Sequence, residues 1–464
     1  MSGIRRSTDS RLPIGDVELR RVSKLQGLAA FSPDALASIG YADQEIYLGL
    51  VIAGSIGLAY AFPIALTIIG LLAILAVSYY QVVQKFPSGG GSYEVARTTL
   101  GVVPGMIAAA ALIVNYLLNV PVSITTGVDA IASAFPTLWP HRLVLSLLLL
   151  AAMTALNLRG IRESGIVMAL PIYLFLFAYL PMLGYGAVRL SLSGPLPLAP
   201  VAPSPIQPLT TALLLHTFST GCTAMTGIEA ISNGVPSFRP PETKNAGQTL
   251  IAMALIMGTL FLGSIGLIQY LAVVAGPQET ILSALARRLL GSGVAYLVIQ
   301  ISTMVLLAVG ANTSFAGLPR LMSVMANDGY LPKRLAKANS RSVFANGILI
   351  LAAASALLIV GFAGSSHALI PLFAVGVFLA WTLSQIGMVM IWKRERSKGW
   401  RLKALLNGTG ALATGITFVV VGSEKFYDGA WIALLLIPIL VLFFLQVHNR
   451  HKEHALDVMR DQAL

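Results

Sequence analysis

The chain has few charged residues and a single cysteine among its 464 residues. Aspartate, glutamate, lysine and arginine make up 11% of the sequence, less than half of the share of about 25% found in soluble domains. Hydrophobic residues make up 56%, which excludes a disordered chain, because such chains are poor in apolar residues. The lone Cys222 excludes an internal disulfide and a cysteine-ligated metal site. This composition is typical of a helical membrane protein with many spans.

Sequence motifs of enzymes are absent as well. The chain contains no HExxH, GxSxG or P-loop motif. We therefore expect a protein that is not an enzyme, that needs no organic cofactor, and that an ion gradient rather than its own ATP hydrolysis would drive. The formal charge of +12 could indicate nucleic-acid binding, but a basic face beside anionic membrane lipid explains it better.

Twelve apolar runs are long enough to cross a bilayer, whose core of about 30 Å needs about 20 residues per helix. The predicted spans are 28–53, 60–85, 103–134, 141–158, 165–190, 210–234, 247–274, 294–318, 344–363, 368–392, 404–422 and 429–447. With a cytoplasmic N-terminus, 26 of the 31 lysine and arginine residues fall in cytoplasmic segments. This split predicts cytoplasmic N- and C-termini in a plasma membrane, which is the inner membrane in bacteria.

The same pattern predicts how the chain is organised. Residues 1–27 form a cytoplasmic tail, 28–393 a ten-helix core, 394–447 two further helices, and 448–464 a second cytoplasmic tail. The amphipathic stretch 277–291 is predicted to be a short helix on the external face.

The first and sixth spans are polar and contain glycine. The first reads FSPDALASIGYADQEI and the sixth TGCTAMTGIEAISNGVP, and we expect the first to break at SIGYAD. They open two consecutive five-helix units, and an odd number of helices inverts the second unit relative to the first. Paired broken helices in inverted repeats indicate the binding site of a transporter, although glycine also serves close helix packing.

Two acids in these breaks, Asp34 and Glu229, are the main candidate site residues. A carboxyl group inside a membrane can take up a proton or hold a cation. The alternative role for Asp34 is to cap a helix after Ser32-Pro33.

Three further acids and a histidine are expected to have other roles. Asp43 and Glu45 are predicted to line an entrance on the outer half of the first span, and Asp129 to face a vestibule. His216 is a candidate proton relay, although a hydrogen-bonded packing role is favoured.

The third span carries a polar stripe. Tyr116, Asn119 and Ser123 are spaced to share one helix face. That stripe either faces the two broken helices or makes ordinary interhelical hydrogen bonds.

Two cytoplasmic segments, PSGGGSYEVARTTLG at 87–101 and LPRLMSVMANDGYLPKRLAKAN at 318–339, resemble signatures of the amino acid–polyamine–organocation (APC) superfamily. The resemblance implies an all-α membrane protein of the LeuT/APC-type fold. It has 12 transmembrane helices, ten of them in a 5+5 inverted repeat and two peripheral.

Within that superfamily the chain resembles potassium/proton symporters of the KimA type. The likeness rests on FSPDALASIGYADQEI, TGIEAISNGVPSFRPPETKNA and IPLFAVGVFLAWTLSQ. It implies proton-coupled potassium uptake by alternating access, with potassium and protons as transported species, and it points to a homodimer. The implied substrate- and ion-binding residues are Asp34, Tyr41, Tyr116, Asn119, Ser123, Thr226 and Glu229. Of these, Asp34 and Glu229 would couple protons, and Tyr41, Ser123 and Thr226 would ligate potassium.

The sequence also departs from that pattern. Asn119 replaces an expected threonine, Phe373 an expected tyrosine, and the chain is expected to lack the large cytoplasmic C-terminal domain of those symporters. The alternative function is therefore a proton-coupled permease for an amino acid or organic cation. A carboxylate beside SIGYAD opposes the carboxylate of an amino acid, which favours an inorganic cation.

Overall fold

The computed structural model describes residues 21–89, 91–160, 165–198, 202–336 and 344–462. Most of the predicted N-terminal tail, and the predicted cytoplasmic residues Arg162, Lys337 and Arg341, lie outside these ranges. Within them the backbone is almost entirely helical, and its β-pairing is limited to one isolated bridge between Val22 and Phe238.

Seventeen α-helices run through the described residues. They are α1 Lys24–Phe31, α2 Pro33–Val51, α3 Gly54–Leu58, α4 Ala61–Lys85, α5 Gly91–Leu100, α6 Val102–Ala134, α7 Arg142–Leu158, α8 Gly165–Ser193, α9 Thr211–Gly221, α10 Glu229–Asn233, α11 Glu242–Tyr270, α12 Ile281–Leu290, α13 Val294–Asn327, α14 Ala345–Gly361, α15 Ser366–Glu395, α16 Trp400–Glu424 and α17 Trp431–Gln462. Short 3₁₀ turns occupy Pro136–His141, Cys222–Met225, Val235–Ser237 and Lys333–Leu335, and a π turn occupies Phe426–Ala430.

Nine helical segments among the described residues are long and apolar enough to cross a membrane. The other three predicted spans fall on α14, which is 17 residues long, and on two interrupted helices, α1–α2 and α9–α10. The chain is therefore an all-helical, multi-pass membrane protein. The helix predicted within 277–291 is confirmed as α12, and the predicted tail from residue 448 continues α17 as far as Gln462.

Helix α6 lies at the centre of the molecule and is buried along most of its length. It packs against α13 and α15 above all, and also against α5, α7, α14 and α17. Its run of four alanines, Ala108–Ala111, is buried and allows neighbouring helices to approach closely. Large apolar side chains on the outer helices, such as Leu148, Phe177 and Leu357, are exposed, as expected of surfaces that face lipid.

The break in the first span lies at Ser32, so the prediction that it lies at SIGYAD is wrong. Residues 38–43 are helical within α2, which runs without interruption from Pro33. Pro33 has no N–H to donate to the preceding turn, and proline therefore starts a helix more readily than it continues one. A glycine inside a helix costs only about 1 kcal/mol relative to alanine, so Gly40 does not break α2.

The sixth span is interrupted as predicted. Helix α9 ends at Gly221, a 3₁₀ turn follows, Thr226 is extended, and α10 begins at Glu229. The left-handed conformation of Gly227, with φ of +84°, turns the chain between the two segments and favours glycine there.

Candidate ion-binding site

The interrupted sixth span meets the first span at a backbone contact. A Cβ atom on Gly227 would lie 2.5 Å from the backbone nitrogen of Ala35, so only glycine allows this approach. The Ser38 hydroxyl donates to the carbonyl of Ala224 at 2.8 Å. The contact places the start of α2 beside the unwound residues of the sixth span.

Asp34 and Glu229 come together at this contact. Both are buried, with 5% and 2% exposed, and each carboxyl has one oxygen without a hydrogen-bond partner. The Glu229 charge acts electrostatically on Asp34. The capping role considered for Asp34 is not adopted, because Ser32 holds the N-cap position of α2.

Neutral oxygens surround the two acids. The Tyr41 hydroxyl lies 2.9 Å from Thr226 Oγ1. Thr226 donates its own proton to the carbonyl of Thr223, so Tyr41 is the donor of this bond. The face of α2 that carries Asp34 also carries Ser38 and Tyr41, since side chains four and seven positions apart align on a helix.

The polar stripe of α6 makes both kinds of predicted contact. Asn119 lies next to Asp34 and donates to Ser314 on α13 at 2.9 Å. Ser123 donates to the Asn119 side-chain oxygen at 3.2 Å. Tyr116 accepts a bond of 3.3 Å from Asn233 on α10. The stripe therefore joins the broken helices to α13.

Three residues beside this group were not predicted. Asn115 donates to Glu229 Oε1 at 3.4 Å, Ser314 pairs with Asn119, and the Trp381 indole lies next to Glu229. Asn115 lies four residues, about one helical turn, before Asn119. Applying the helical spacing backwards from Asn119 would therefore have found it. No local sequence signal points to Ser314 or Trp381, because only packing brings α13 and α15 to the site.

Phe373 supplies an apolar wall to the site. Its ring is fully buried and packs edge-on against Tyr41, with ring centroids 6.1 Å apart. It therefore contributes an aromatic edge where a tyrosine would contribute an oxygen.

The remaining candidates lie elsewhere. Glu45 accepts from His367 at 2.8 Å, and Asp129 accepts from Ser366 at 2.7 Å; both partners are at the start of α15. His216 is hydrogen-bonded to Lys425, in keeping with the favoured packing role. Asp43 is completely buried, so the prediction that it lines an entrance is wrong for this conformation.

The site combines two carboxyl groups with neutral hydroxyl and amide oxygens. No arginine, lysine or histidine of the described chain interacts with either carboxyl group. The described residues also contain no group of three or more histidine, cysteine or acidic side chains placed to hold a metal ion. This chemistry suits a small monovalent cation, which prefers oxygen ligands and limited negative charge, over a transition metal.

Most of the chain is similar to known transport proteins. The model of the amino acid permease family matches residues 35–451. The potassium transporter KimA of Bacillus subtilis is 39% identical over 435 residues, covering 93% of this chain and 71% of that protein. The low-affinity putrescine importer PlaP of Escherichia coli K12 is 28% identical over 454 residues, covering 91% of this chain and 93% of that protein.

Proposed function

Because the chain belongs to the amino acid permease family of membrane transporters, we propose that it imports potassium together with protons by alternating access. One observation carries the proposal: two buried carboxyl groups face neutral oxygens, with no basic side chain of the described residues beside them. Two carboxylates in a low-dielectric site are costly unless cations neutralise them. One potassium ion and one proton supply two positive charges.

The proposed roles follow from the contacts. Asp34 and Glu229 share the proton and attract the cation, while Tyr41, Ser123 and Thr226 supply neutral oxygens to it. Tyr116 and Asn119 complete the wall on α6. The identity with the potassium transporter KimA supports potassium as the cargo.

The proposed topology has twelve membrane crossings, with both termini in the cytoplasm of a bacterial inner membrane. Its ten-helix core, 28–393, consists of two inverted repeats, and 394–447 is peripheral. The bundle of spans 1, 2, 6 and 7 rocks against spans 3, 4, 8 and 9 around the site. The apolar outer faces contact membrane lipid, and the assembly is a homodimer. The interrupted first and sixth spans support this arrangement.

Purified protein in liposomes tests the function directly. Under an inward proton gradient we expect rubidium, a potassium surrogate, to accumulate and potassium to compete with it. Asp34→Asn and Glu229→Gln should each abolish accumulation, whereas Glu94→Gln, a change on α5 away from the site, should leave it intact. Wild-type uptake by both site variants would contradict the assignment.

A second candidate function is the import of an organic cation. The two carboxyl groups could each hold one ammonium group of a diamine. The Trp381 ring beside Glu229 and the Phe373 ring against Tyr41 could contact its carbon chain. The identity with the putrescine importer PlaP favours this reading. Uptake of rubidium and of labelled putrescine, arginine and alanine, each measured separately in the same liposomes, separates the two functions, since only the true substrate should accumulate.

A further inference from the structure

Asp43 lies on α2 but faces away from the candidate site. It follows Asp34 by nine residues, which places the two side chains on opposite faces of the helix and about 13.5 Å apart along its axis. The Asp43 side chain is fully buried. It is therefore a separate acid inside the membrane, outside the set that the proposed function uses.

Neither oxygen of the Asp43 carboxyl group has a hydrogen-bond partner among the residues that the structure describes. The hydroxyl of Ser264 on α11 lies beside it but donates to the carbonyl of Leu260 at 2.8 Å. Tyr179 on α8 faces the same serine and the same carboxyl, and its buried hydroxyl also has no partner. Three polar side chains from three helices thus meet, and two of them, Asp43 and Tyr179, make no hydrogen bond to any described residue.

No positive charge offsets the carboxyl group. Tyr179 is the titratable group that interacts with it, and no arginine, lysine or histidine in the described part of the chain does so. The Tyr179 ring stacks on Phe175, with centroids 4.9 Å apart, which closes that side with an apolar surface. A bare carboxylate is strongly disfavoured in such surroundings, so a cation must neutralise it.

The cation that fits is a proton. Potassium would need several more oxygens than the three side chains offer, because alkali ions are held by many oxygen ligands at once. A proton on one Asp43 oxygen instead removes the charge without further ligands, and it leaves a neutral carboxylic acid beside the Ser264 and Tyr179 hydroxyls. Protonation therefore removes the charge that burial disfavours.

We propose that Asp43, Tyr179 and Ser264 form a second protonation site, occupied while α2, α8 and α11 pack together as in this structure. Separation of these helices would admit water, and the Asp43 proton would leave to that water. The packing of the three helices then depends on proton concentration independently of Asp34 and Glu229.

Infrared spectroscopy of the purified protein tests proton binding without any assumption about cargo. At neutral pH the wild type should show the C=O stretching band of a buried carboxylic acid, and Asp43→Asn should remove it. Tyr179→Phe should shift the band by removing a polar group from beside the carboxyl group. This second variant keeps the test valid even if Asp43→Asn fails to fold. A spectrum in which all bands survive in Asp43→Asn would overturn the proposal.

Exchange of internal potassium for external rubidium at equal pH on both sides gives a second test, which rests on the proposed function. Wild-type exchange should decline at alkaline pH as Asp43 and the two site acids lose protons, and Asp43→Asn, which is permanently neutral at that position, should move the decline to higher pH. Profiles that superimpose would contradict the proposal. If the wild type does not exchange rubidium at all, the proposed function fails while the infrared result still decides the proton site.

Discussion

Single residues set the geometry where the first and sixth spans meet. Gly227 combines a positive φ with a contact that leaves no room for a Cβ atom. The left-handed conformation alone costs a non-glycine residue about 1–2 kcal/mol, and the clash with Ala35 adds to it. Gly40, which is helical and whose added Cβ would lie 3.6 Å from Leu307, is a matched control.

Gly227→Ala should therefore lower the thermal stability of the detergent-solubilised protein and abolish transport. Gly40→Ala should leave the melting temperature unchanged or slightly raised. Melting curves and rubidium uptake check both variants. Equal melting temperatures for the two would show that the backbone contact is not tight in the working protein.

The hydroxyl groups of Tyr41 and Thr226 lead to a prediction about affinity. Thr226→Val keeps the shape of the side chain but removes an oxygen from the proposed cation site. We expect the KM for rubidium to rise by roughly tenfold, equivalent to one lost interaction of about 1.4 kcal/mol, with a smaller change in maximal rate. Thr259→Val is a control, since Thr259 bonds only within its own helix and is exposed. A KM like that of the wild type would remove Thr226 from the cation site.

At the scale of elements, the two APC signature segments contact each other. Arg97 on α5 forms an ion pair with Asp328 at the end of α13, and the Tyr93 hydroxyl donates to the same carboxylate at 2.8 Å. Asp328→Asn should weaken this contact by about 1 kcal/mol, since the pair is partly exposed. Hydrogen exchange of α5 should then speed up by about fivefold, and that of the central helix α6 should not. Unchanged hydrogen exchange in α5 would mean that the Arg97–Asp328 ion pair does not stabilise the contact between α5 and the end of α13.

A second group of charged residues links helices α2, α9 and α15 to the segment between α16 and α17. Glu45 on α2 is buried and pairs with the more exposed His367 on α15, while Lys425 contacts His216 on α9 and lies 3.5 Å from Asp428. Burial lowers the pKa of Lys425, and the carboxylates of Glu45 and Asp428 act in the opposite direction.

His367→Ala would leave Glu45 buried without its hydrogen-bond donor, at a cost of about 1–3 kcal/mol. We expect a lower melting temperature, with partial rescue by His367→Gln, which keeps a donor. His141→Ala, on an exposed turn, is the control. The same stability in His367→Ala and His141→Ala would exclude a structural role for the pair.

Sequence patterns predicted the positions of the helices better than they predicted the contacts between residues. Each predicted span falls on helix, because long apolar runs leave few alternatives in a membrane. The predicted break of the first span is wrong because the missing N–H of Pro33 interrupts a helix more strongly than the missing side chain of Gly40. The helical spacing of the polar stripe on α6 also predicts Asn115. The positions of Ser314 and Trp381 at the site, and of Asp43 away from it, depend on tertiary packing that no local sequence pattern records.

On the scale of the whole molecule, charge distribution predicts orientation. The predicted spans contain five acids, and their basic residues are limited to Lys85, Arg142 and Arg189, each within one residue of a span end. We expect reporters fused to the N- and C-termini to be active only in the cytoplasm. Placing three arginines in the predicted external segment 192–207 should disturb that orientation, whereas three glutamines there should not. A periplasmic signal from either terminus would reverse the predicted topology.

The C-terminal half of α17 contacts the loop after α13. The His448 ring stacks on Tyr330, with centroids 4.3 Å apart, and His451 lies 3.1 Å from the carbonyl of Gly329. Gly329 and Tyr330 directly follow Asp328, which forms the ion pair with Arg97. A stiff helical fusion that prolongs α17 would thus transmit force to the loop after α13, whereas a flexible glycine-serine linker would not. We therefore expect fluorescent or affinity tags fused after α17 to leave transport unchanged only when a flexible linker joins them to the helix.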